Sequence, residues 1–163
     1  MAVTLLLISV SDLRALAESR TPDAVAHRSL EGSLPPDFVA RRSLERMLDG
    51  EAARWWNTYY VLRNTDQIIV GSCGFKGAPT SERVEIGYGI SAECRNQGIA
   101  TEAVRALLSL AFASGEVREV LAQVSPTNVA STRVVEKLAF SRNGMQVDKD
   151  GELLVQWVAA HAA

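Results

Sequence analysis

Residues 95–101, with the sequence RNQGIAT, have the composition of an anion-binding turn. Gly98 and Ala100 are small where a helix is predicted to begin, so an anion could reach the unpaired backbone N–H groups of the first helical turn. The aligned peptide dipoles add partial positive charge at that end, and Arg95 adds a fixed positive charge. The pattern therefore indicates a seat for a phosphate or pyrophosphate.

A carboxylate just before this turn, Glu85, is a candidate proton acceptor. Period-two alternation predicts a strand over Val84–Ile90, with Glu85 on the same face as Gly87 and Gly89. Glycine inside a strand often marks a bulge or a close approach by another molecule, and both interpretations stay open. A slim substrate arm could lie along the glycine face and end near Glu85. The alternative role for Glu85 is a surface salt bridge.

Two better-known phosphate motifs fit the chain less well. The P-loop pattern Gly-x-x-x-x-Gly-Lys-Ser/Thr does not occur in the sequence. The dinucleotide fingerprint Gly-x-Gly-x-x-Gly/Ala matches residues 87–92, but its glycines lie within the predicted strand. The acidic residue expected about 20 positions later would fall near Phe112, at the end of the next helix. A regulatory domain that binds NAD is therefore a weak alternative.

Hydrophobic periodicity predicts the elements that must position these residues. After the turn, Ala103, Leu107, Leu110 and Ala111 recur at helical spacing, opposite Glu102, Arg105 and Ser109. Strands are predicted at 3–10, 55–62, 67–76, 84–90, 117–124 and 152–158, and further helices at 13–19, 38–48 and 129–138. Residues 20–36 are predicted to form a loop or a broken helix. This order indicates an α/β fold with a mixed sheet whose N-terminal half is an antiparallel meander.

Caps and apolar stripes can be assigned within these elements. Ser11-Asp12 is predicted to cap the helix at 13–19, and Asn128 the helix at 129–138. Candidate buried positions are Phe38, Leu44, Met47 and Leu48 in one helix and Ala130, Val134 and Leu138 in another. The aromatic side chains at 55, 56, 59 and 60 could line an acceptor pocket, although a strand would point at most half of them toward one site.

Composition limits the classes of function. A chain of 163 residues with 47% hydrophobic residues predicts a single domain, 1–163, with a full core. A formal net charge of −2 argues against a nucleic-acid-binding surface. Two cysteines without a Cys-x-x-Cys pattern, and two isolated histidines, predict neither a disulfide framework nor a metal site. The apolar start is interpreted as a strand and not a leader, no segment is long enough for a membrane span, and a cytoplasmic location is expected.

Three motifs together resemble a known family. The pattern Arg95-x-x-Gly98-x-Ala100, between a strand and an amphipathic helix, resembles the acyl-CoA-binding motif of the GNAT superfamily of N-acetyltransferases. The VEIGY run at 84–88 and the downstream Asn128-x-x-Ser131 resemble the RimJ/RimL-like branch, which includes ribosomal-protein N-terminal acetyltransferases. The resemblance covers residues 55–158, with a weaker match before that, and implies a mixed, largely antiparallel sheet flanked by helices. That sheet would splay between strands 84–90 and 117–124 to admit the pantetheine arm.

The resemblance also implies a set of site residues. The cofactor-binding residues would be Ile90, Arg95, Gln97, Gly98, Ile99, Ala100, Thr101 and Asn128. Glu85 would take the amine proton, often through water. Ser131 would protonate the departing thiolate or donate a hydrogen bond to it, unless its hydroxyl bonds back onto its own helix. Many family members use a tyrosine four residues after this serine, but Val135 stands there. Arg133 and Lys137 could reach phosphates, but are expected to be solvated and are left out of the predicted site.

The predicted activity is an acyl-CoA-dependent N-acyltransferase that moves acetyl from acetyl-CoA directly to a primary amine, without a metal. The acceptor would be a protein N-terminus or a small amine, and a homodimer is common in the branch. Cys94 could in principle carry the acyl group, but no histidine lies near it in sequence. The alternative from another class is a non-catalytic CoA-binding sensor or scaffold, which would bind CoA but release none with any amine.

Overall fold

The structure, a computed structural model, describes residues 2–161 as one seven-stranded mixed sheet flanked by helices. In chain order the elements are β1 (Val3–Leu7), α1 (Val10–Ala17), α2 (Asp37–Leu48), α3 (Ala53–Trp56), β2 (Thr58–Arg63), β3 (Ile68–Phe75), β4 (Arg83–Ile90), α4 (Ile99–Ala113), β5 (Glu119–Val124), α5 (Val129–Lys137), β6 (Ser141–Val147) and β7 (Leu153–Ala160). Short 3-10 turns lie at Ala26–Arg28 and Ala92–Cys94. The predicted α/β class is confirmed.

The strands follow the order β1-β2-β3-β4-β5-β7-β6. Every neighbouring pair is antiparallel except β4 and β5, which are parallel. These two strands pair only where Arg83–Glu85 faces Glu119–Leu121, and they diverge beyond that point. The splayed, largely antiparallel sheet predicted from the resemblance is therefore present, and the opening lies between the predicted strands.

Two helical layers cover the two faces of the N-terminal half of the sheet. Alternate residues of β2 show this directly, because Val61 lies in the cluster that packs on α4, whereas Tyr60 lies in the cluster that packs on α1 and α2. The buried face of α4 consists of Ile99, Ala103, Val104, Leu107 and Ala111. This packing fixes the start of α4 against the end of β4, where the candidate site lies.

The first strand and helix depart from the prediction. The strand ends at Leu7, and Ser9 caps α1 by accepting a hydrogen bond from the backbone N–H of Asp12 at 3.1 Å. The predicted cap at Ser11-Asp12 is wrong. The Asp12 carboxylate instead accepts a buried hydrogen bond from the Tyr60 hydroxyl at 2.8 Å. The Asp12 side chain, which the local sequence predicted to cap the helix, therefore forms a tertiary contact with Tyr60.

The predicted strand at 55–62 begins three residues late, because Ala53–Trp56 forms a helical turn. Trp55 packs edge-on against Phe75 with ring centroids 4.9 Å apart. The guanidinium of Arg46 lies 4.5 Å above the ring of Trp56. Aromatic residues favour strands in general, but here these two packing contacts outweigh that preference.

Several helix faces are rotated from their predicted positions. Phe38 and Leu48 are 61% and 63% exposed, so their assignment to the buried face is wrong, and Ala40 and Ser43 are buried instead. In α4, Leu110 is 42% exposed. In α5, Val134 and Val135 are buried and Ala130 is exposed. An amphipathic pattern with apolar residues on more than one face does not determine which face packs.

Candidate active site

A cavity of about 580 Å³ lies beside the end of β4, beyond the point where this strand stops pairing with β5. Its wall is built from the end of β4, the turn after it, the start of α4 and one face of α5. The predicted cofactor-binding residues in this wall are Ile90, Arg95, Gly98, Ile99, Ala100, Thr101 and Asn128, and Ser131 joins them. Gln97 does not line the cavity, because its side-chain amide donates to the Glu93 carbonyl at 3.3 Å.

The backbone at the start of α4 favours glycine and leaves room for a ligand. Gly98 is the N-cap residue with φ of 75°, in the left-handed region that glycine adopts without strain. No side chain caps this helix, and a Cβ built at Gly98 would meet nothing within 4 Å. The first turn of α4, whose backbone N–H groups have no partner within the helix, therefore borders the cavity.

The charges in the wall all have one sign. Arg95, Arg133 and Lys137 line the cavity, and no carboxylate does. Within residues 2–161 none of these three cations forms an ion pair. Leaving Arg133 and Lys137 out of the predicted site therefore missed two residues of the wall. Their four-residue spacing, which places both on one face of the predicted helix, was the available signal. Such a wall suits a polyanionic ligand.

Asn128 caps α5 as predicted, because its side-chain oxygen accepts from the backbone N–H of Ser131 at 3.0 Å. The hydroxyl that bonds back onto this helix belongs to Thr132, which donates to the Asn128 carbonyl at 2.9 Å. Ser131 faces the cavity together with Tyr88 of β4. Burial raises the pKa of the Tyr88 phenol, and the neighbouring Ser131 hydroxyl lowers it part of the way back. Tyr88 is a residue of the wall that the sequence analysis did not single out.

Glu85 lies outside the cavity wall, on the other side of β4 from Tyr88 by strand alternation. Its Oε1 accepts a hydrogen bond from Gln123 Nε2 at 3.1 Å. Its Oε2 lies 2.7 Å from Lys76 Nζ, in an ion pair without hydrogen-bond geometry. The salt bridge considered as an alternative role for Glu85 is therefore present. Glu85 is also the last residue of β4 paired with β5, so it stands where the strands begin to diverge.

Within the described residues 2–161, no group of three or more His, Cys, Asp or Glu side chains could hold a metal ion. In that same range, no helix is long and apolar enough to cross a membrane. The two cysteines, Cys73 and Cys94, are both buried and unpaired with one another.

Curated relatives match part of the chain. An uncharacterized N-acetyltransferase, p20 of Bacillus licheniformis, is 32% identical over 102 residues, which are 62% of this chain and 55% of that protein. A kanamycin resistance protein of Rhizobium radiobacter is 38% identical over 55 residues, which are 34% of this chain and 51% of that protein. The chain thus spans about half the length of the curated relatives it matches.

Solved structures share the fold over nearly the whole chain. The ribosomal-protein-S5-alanine acetyltransferase of Vibrio fischeri has a TM-score of 0.69 at 17% identity, covering 98% of this chain and 93% of that one. The aminoglycoside acetyltransferase AAC(6')-Ib, in complex with coenzyme A, has a TM-score of 0.66 at 24% identity, covering 97% and 94%. At these identities the likeness shows the fold alone. The profile described as the acetyltransferase (GNAT) domain matches residues 3–141, and the chain belongs to this family.

Proposed function

We propose that the protein is an acyl-CoA-dependent N-acyltransferase that transfers acetyl from acetyl-CoA directly to a primary amine. The observation that carries the proposal is the cavity at the splay, whose wall combines a left-handed glycine at a helix start with three unpaired cations and no carboxylate. Phosphates would bind the first turn of α4. A slim arm would follow Gly89 and Ile90 of β4 into the gap.

The cofactor-binding roles follow from the positions in the wall. Arg95, Gly98, Ile99, Ala100 and Thr101 would hold the pyrophosphate, and Ile90 and Asn128 would contact the pantetheine arm. Gln97 would contribute only its backbone, because its side chain is bonded to the Glu93 carbonyl. Acetyl-CoA supplies an activated thioester, and these residues would hold it in one orientation beside the acceptor.

Glu85 is the proposed general base. Its carboxylate is held by Lys76 and Gln123 where β4 and β5 begin to part. If the thioester enters between β4 and β5 from the cavity side, its acyl carbon would approach the face of the sheet that carries Glu85. The acceptor amine must lose a proton during attack, and Glu85 would accept it directly or through one water. Ser131, on the cavity side, would donate a hydrogen bond to the thiolate.

We propose that the acceptor is a protein N-terminus or a small amine. We also propose that the chain belongs to the RimJ/RimL-like branch of the family. The names of the structural neighbours, which include a ribosomal-protein acetyltransferase and an aminoglycoside acetyltransferase, support this range of amines. Two buried, unpaired thiols are typical of a reducing compartment, which favours a cytoplasmic location. A single domain and a homodimer remain predictions.

The test is a thiol-release screen with acetyl-CoA against small amines and N-terminal peptides, run beside a calorimetric titration with CoA. The proposal predicts CoA binding and amine-dependent release of free thiol. Binding without release across all the amines would favour the sensor or scaffold. Absence of binding would overturn both functions.

A further inference from the structure

The face of β4 that carries Glu85 is open beyond the ion pair with Lys76. Gly87 and Gly89 share this face with Glu85 by strand alternation. A Cβ built at Gly89 would meet nothing within 4 Å, and one at Gly87 would meet only the Cε of Lys76, at 3.3 Å. Because Glu85 is the proposed base, the acceptor amine must approach over this surface. Glu85, Gly87 and Gly89 therefore form the floor of an acceptor face.

Helix α2 lies above the same side of the sheet. The hydroxyls of Ser43 and Thr58 are 3.2 Å apart in a buried contact, so α2 packs on β2. Thr58 pairs with Gly74 of β3, which pairs with Gly87 of β4. Directly paired residues point to the same face of a sheet, so α2 stands over the face that carries Glu85. Two strand spacings, about 10 Å in all, separate β2 from β4.

One side of α2 is turned toward α1. Asp37 and Arg41 bond to the chain at and just after the end of α1, and Leu44 packs in the apolar cluster beneath that helix. With about 3.6 residues per turn, Arg42 and Arg46 lie on the other side of α2, away from α1.

Arg46 shows which way that other side is turned. Its guanidinium lies 4.5 Å above the ring of Trp56, and a Cβ built at Gly77 would lie only 3.0 Å from the same ring. Gly77 follows Lys76, whose Nζ lies 2.7 Å from Glu85 Oε2. A row of contacts thus runs from α2 to the proposed base, and the Arg46 side of the helix borders the acceptor face.

Arg42, on that side, is a half-buried cation without a partner. The half-buried arginines of the described chain are Arg28, Arg42, Arg63 and Arg83. Arg63 and Arg83 each pair with a carboxylate, at 2.8 and 3.2 Å. Within residues 2–161, Arg28 and Arg42 form no ion pair, and Glu45, one helical turn after Arg42, is exposed and does not pair with it. A charge partly removed from water is stabilised when an anion binds it.

The charges around the acceptor face do not balance. Lys76 and Glu85 compensate each other, whereas Arg42 and Arg46 have no carboxylate partner in the described part of the chain. Glu31 stands at the far end of the floor, where its carbonyl accepts a hydrogen bond from the residue that follows β4 and its side chain is exposed. The helix side of the acceptor face is therefore positive.

We propose that the acceptor is a primary amine that also carries a carboxylate, with the amine at Glu85 and the carboxylate at Arg42 and Arg46. The inference rests on the proposed acetyl transfer and narrows its acceptor. Guanidinium groups bind carboxylates through paired hydrogen bonds, whereas a polycationic amine would meet like charge. The separation of β2 from β4 suits an amino acid with its two charges at opposite ends of an alkyl chain, or a peptide N-terminus with an acidic side chain nearby.

The test compares acceptors that differ only in the charge at the far end. 6-Aminohexanoate is set against its amide and against hexane-1,6-diamine, and a peptide that begins Ala-Glu against one that begins Ala-Gln. With acetyl-CoA and the wild type, kcat/KM should be about tenfold higher for the acid than for its neutral counterpart, and lowest for the diamine. Discrimination in one pair alone would support the inference and identify a small amine or a peptide as the source of the carboxylate. Equal values within both pairs, or a preference for the diamine, would overturn it.

Two neighbouring arginines of α2 provide a variant and its matched control. In Arg42→Gln, kcat/KM for the acid should fall by about tenfold, and that for the amide should stay within about twofold of wild type. Arg41→Gln removes the guanidinium that faces α1 and should keep the wild-type preference. Arg42→Glu should place the diamine above the acid. An equal fall for acid and amide in Arg42→Gln would assign Arg42 a structural role and overturn the inference.

The wild type alone provides a second test, should the Arg42 variants not fold. Its preference for the acid should shrink at high salt, because the charges are exposed enough to be screened, and a preference independent of salt would contradict the inference. A wild type that acetylates none of these amines would defeat the proposed function itself. Calorimetric titration of 6-aminohexanoate and its amide into the CoA-saturated protein needs no turnover: tighter binding of the acid would support this inference, and equal affinities would overturn it.

Discussion

Gln123 and Glu85 join β5 to β4 at the point where the two strands part. Gln123 Nε2 donates to Glu85 Oε1 at 3.1 Å, and Glu85 is the last residue of β4 in register with β5. Lys76 holds the second carboxylate oxygen at 2.7 Å. Tyr88 and Ser131 lie on the cavity side of the same opening. Glu85 and Tyr88 therefore lie on opposite faces of β4, beside the same opening.

Replacing Glu85 with Gln should remove the base and keep the shape. We expect the acetylation rate at neutral pH to fall by about 10²–10⁴-fold, with unchanged fold and acetyl-CoA affinity. The loss should shrink as pH rises, because more of the acceptor amine is then already neutral. Steady-state rates across a pH series would measure both effects.

The matched control is Glu119→Gln, which neutralises a carboxylate on the neighbouring strand β5 that pairs with Arg83 at 3.2 Å. It should keep the wild-type rate. A near-normal rate for Glu85→Gln at neutral pH would exclude Glu85 as the base and point to a water or to a residue on the acceptor side.

Asn128 combines a cap with a proposed ligand contact, and two substitutions separate these roles. Asp at this position can still accept the Ser131 N–H bond, whereas Ala cannot. We expect Asn128→Ala to lower the free energy of unfolding by about 1 kcal/mol and Asn128→Asp to leave it nearly unchanged. Both should weaken CoA binding, because both lose the amide donor and Asp adds a negative charge near the phosphates. Wild-type CoA affinity in both variants would reduce Asn128 to a cap.

Local signals predicted the fold where one physical requirement governs the sequence. The helix start with small residues at 98 and 100, the cap at Asn128 and the alternation of β4 each follow from short-range chemistry and are all present. The local predictions that proved wrong were overridden by tertiary contacts. Asp12 bonds Tyr60 instead of capping a helix, and Trp55 turns helical to meet Phe75.

The cavity wall was predictable only in part for the same reason. The sequence places Tyr88 on the apolar face of β4, but only the family resemblance, and no local pattern, predicted the opening between this strand and β5. It also does not show that the exposed face of α5 carrying Arg133 and Lys137 turns toward the opening. Both facts depend on how far apart β4 and β5 lie, which no local pattern encodes.

Arg133 and Lys137 should each contribute to CoA affinity through their charge. Both side chains are exposed at the rim of the cavity, so we expect Arg133→Gln and Lys137→Gln each to weaken CoA binding by about two- to fivefold. The effect should diminish at high salt. Arg105→Gln, on the exposed face of α4 outside the cavity, is the control. Equal affinities for all three variants would remove these cations from the site.

Cys73 should make the fold sensitive to alkali. Burial raises the pKa of its thiol from 9.0 to about 12. Between those values the unfolded chain has released the proton and the folded chain has not, so the free energy of unfolding should fall as pH rises above 9, by at most about 1.4 kcal/mol per pH unit. Urea unfolding at pH 8 and pH 10 would measure the slope. Cys73→Ala should be less stable than wild type at pH 8, but its free energy of unfolding should fall less between pH 8 and pH 10. An equal fall in both proteins would contradict Cys73 as the source of the alkali sensitivity.

The most direct test of the account is a calorimetric titration of CoA into Gly98→Asp and Gly98→Asn. Asn and Asp both tolerate the φ of 75° found at Gly98, both can cap α4, and they have nearly the same size. They differ in charge at the proposed pyrophosphate seat. We predict that Gly98→Asp binds CoA at least about tenfold more weakly than Gly98→Asn, about 1.4 kcal/mol, although both fold with similar Tm. Equal Kd values for the two folded variants would contradict CoA binding at the start of α4.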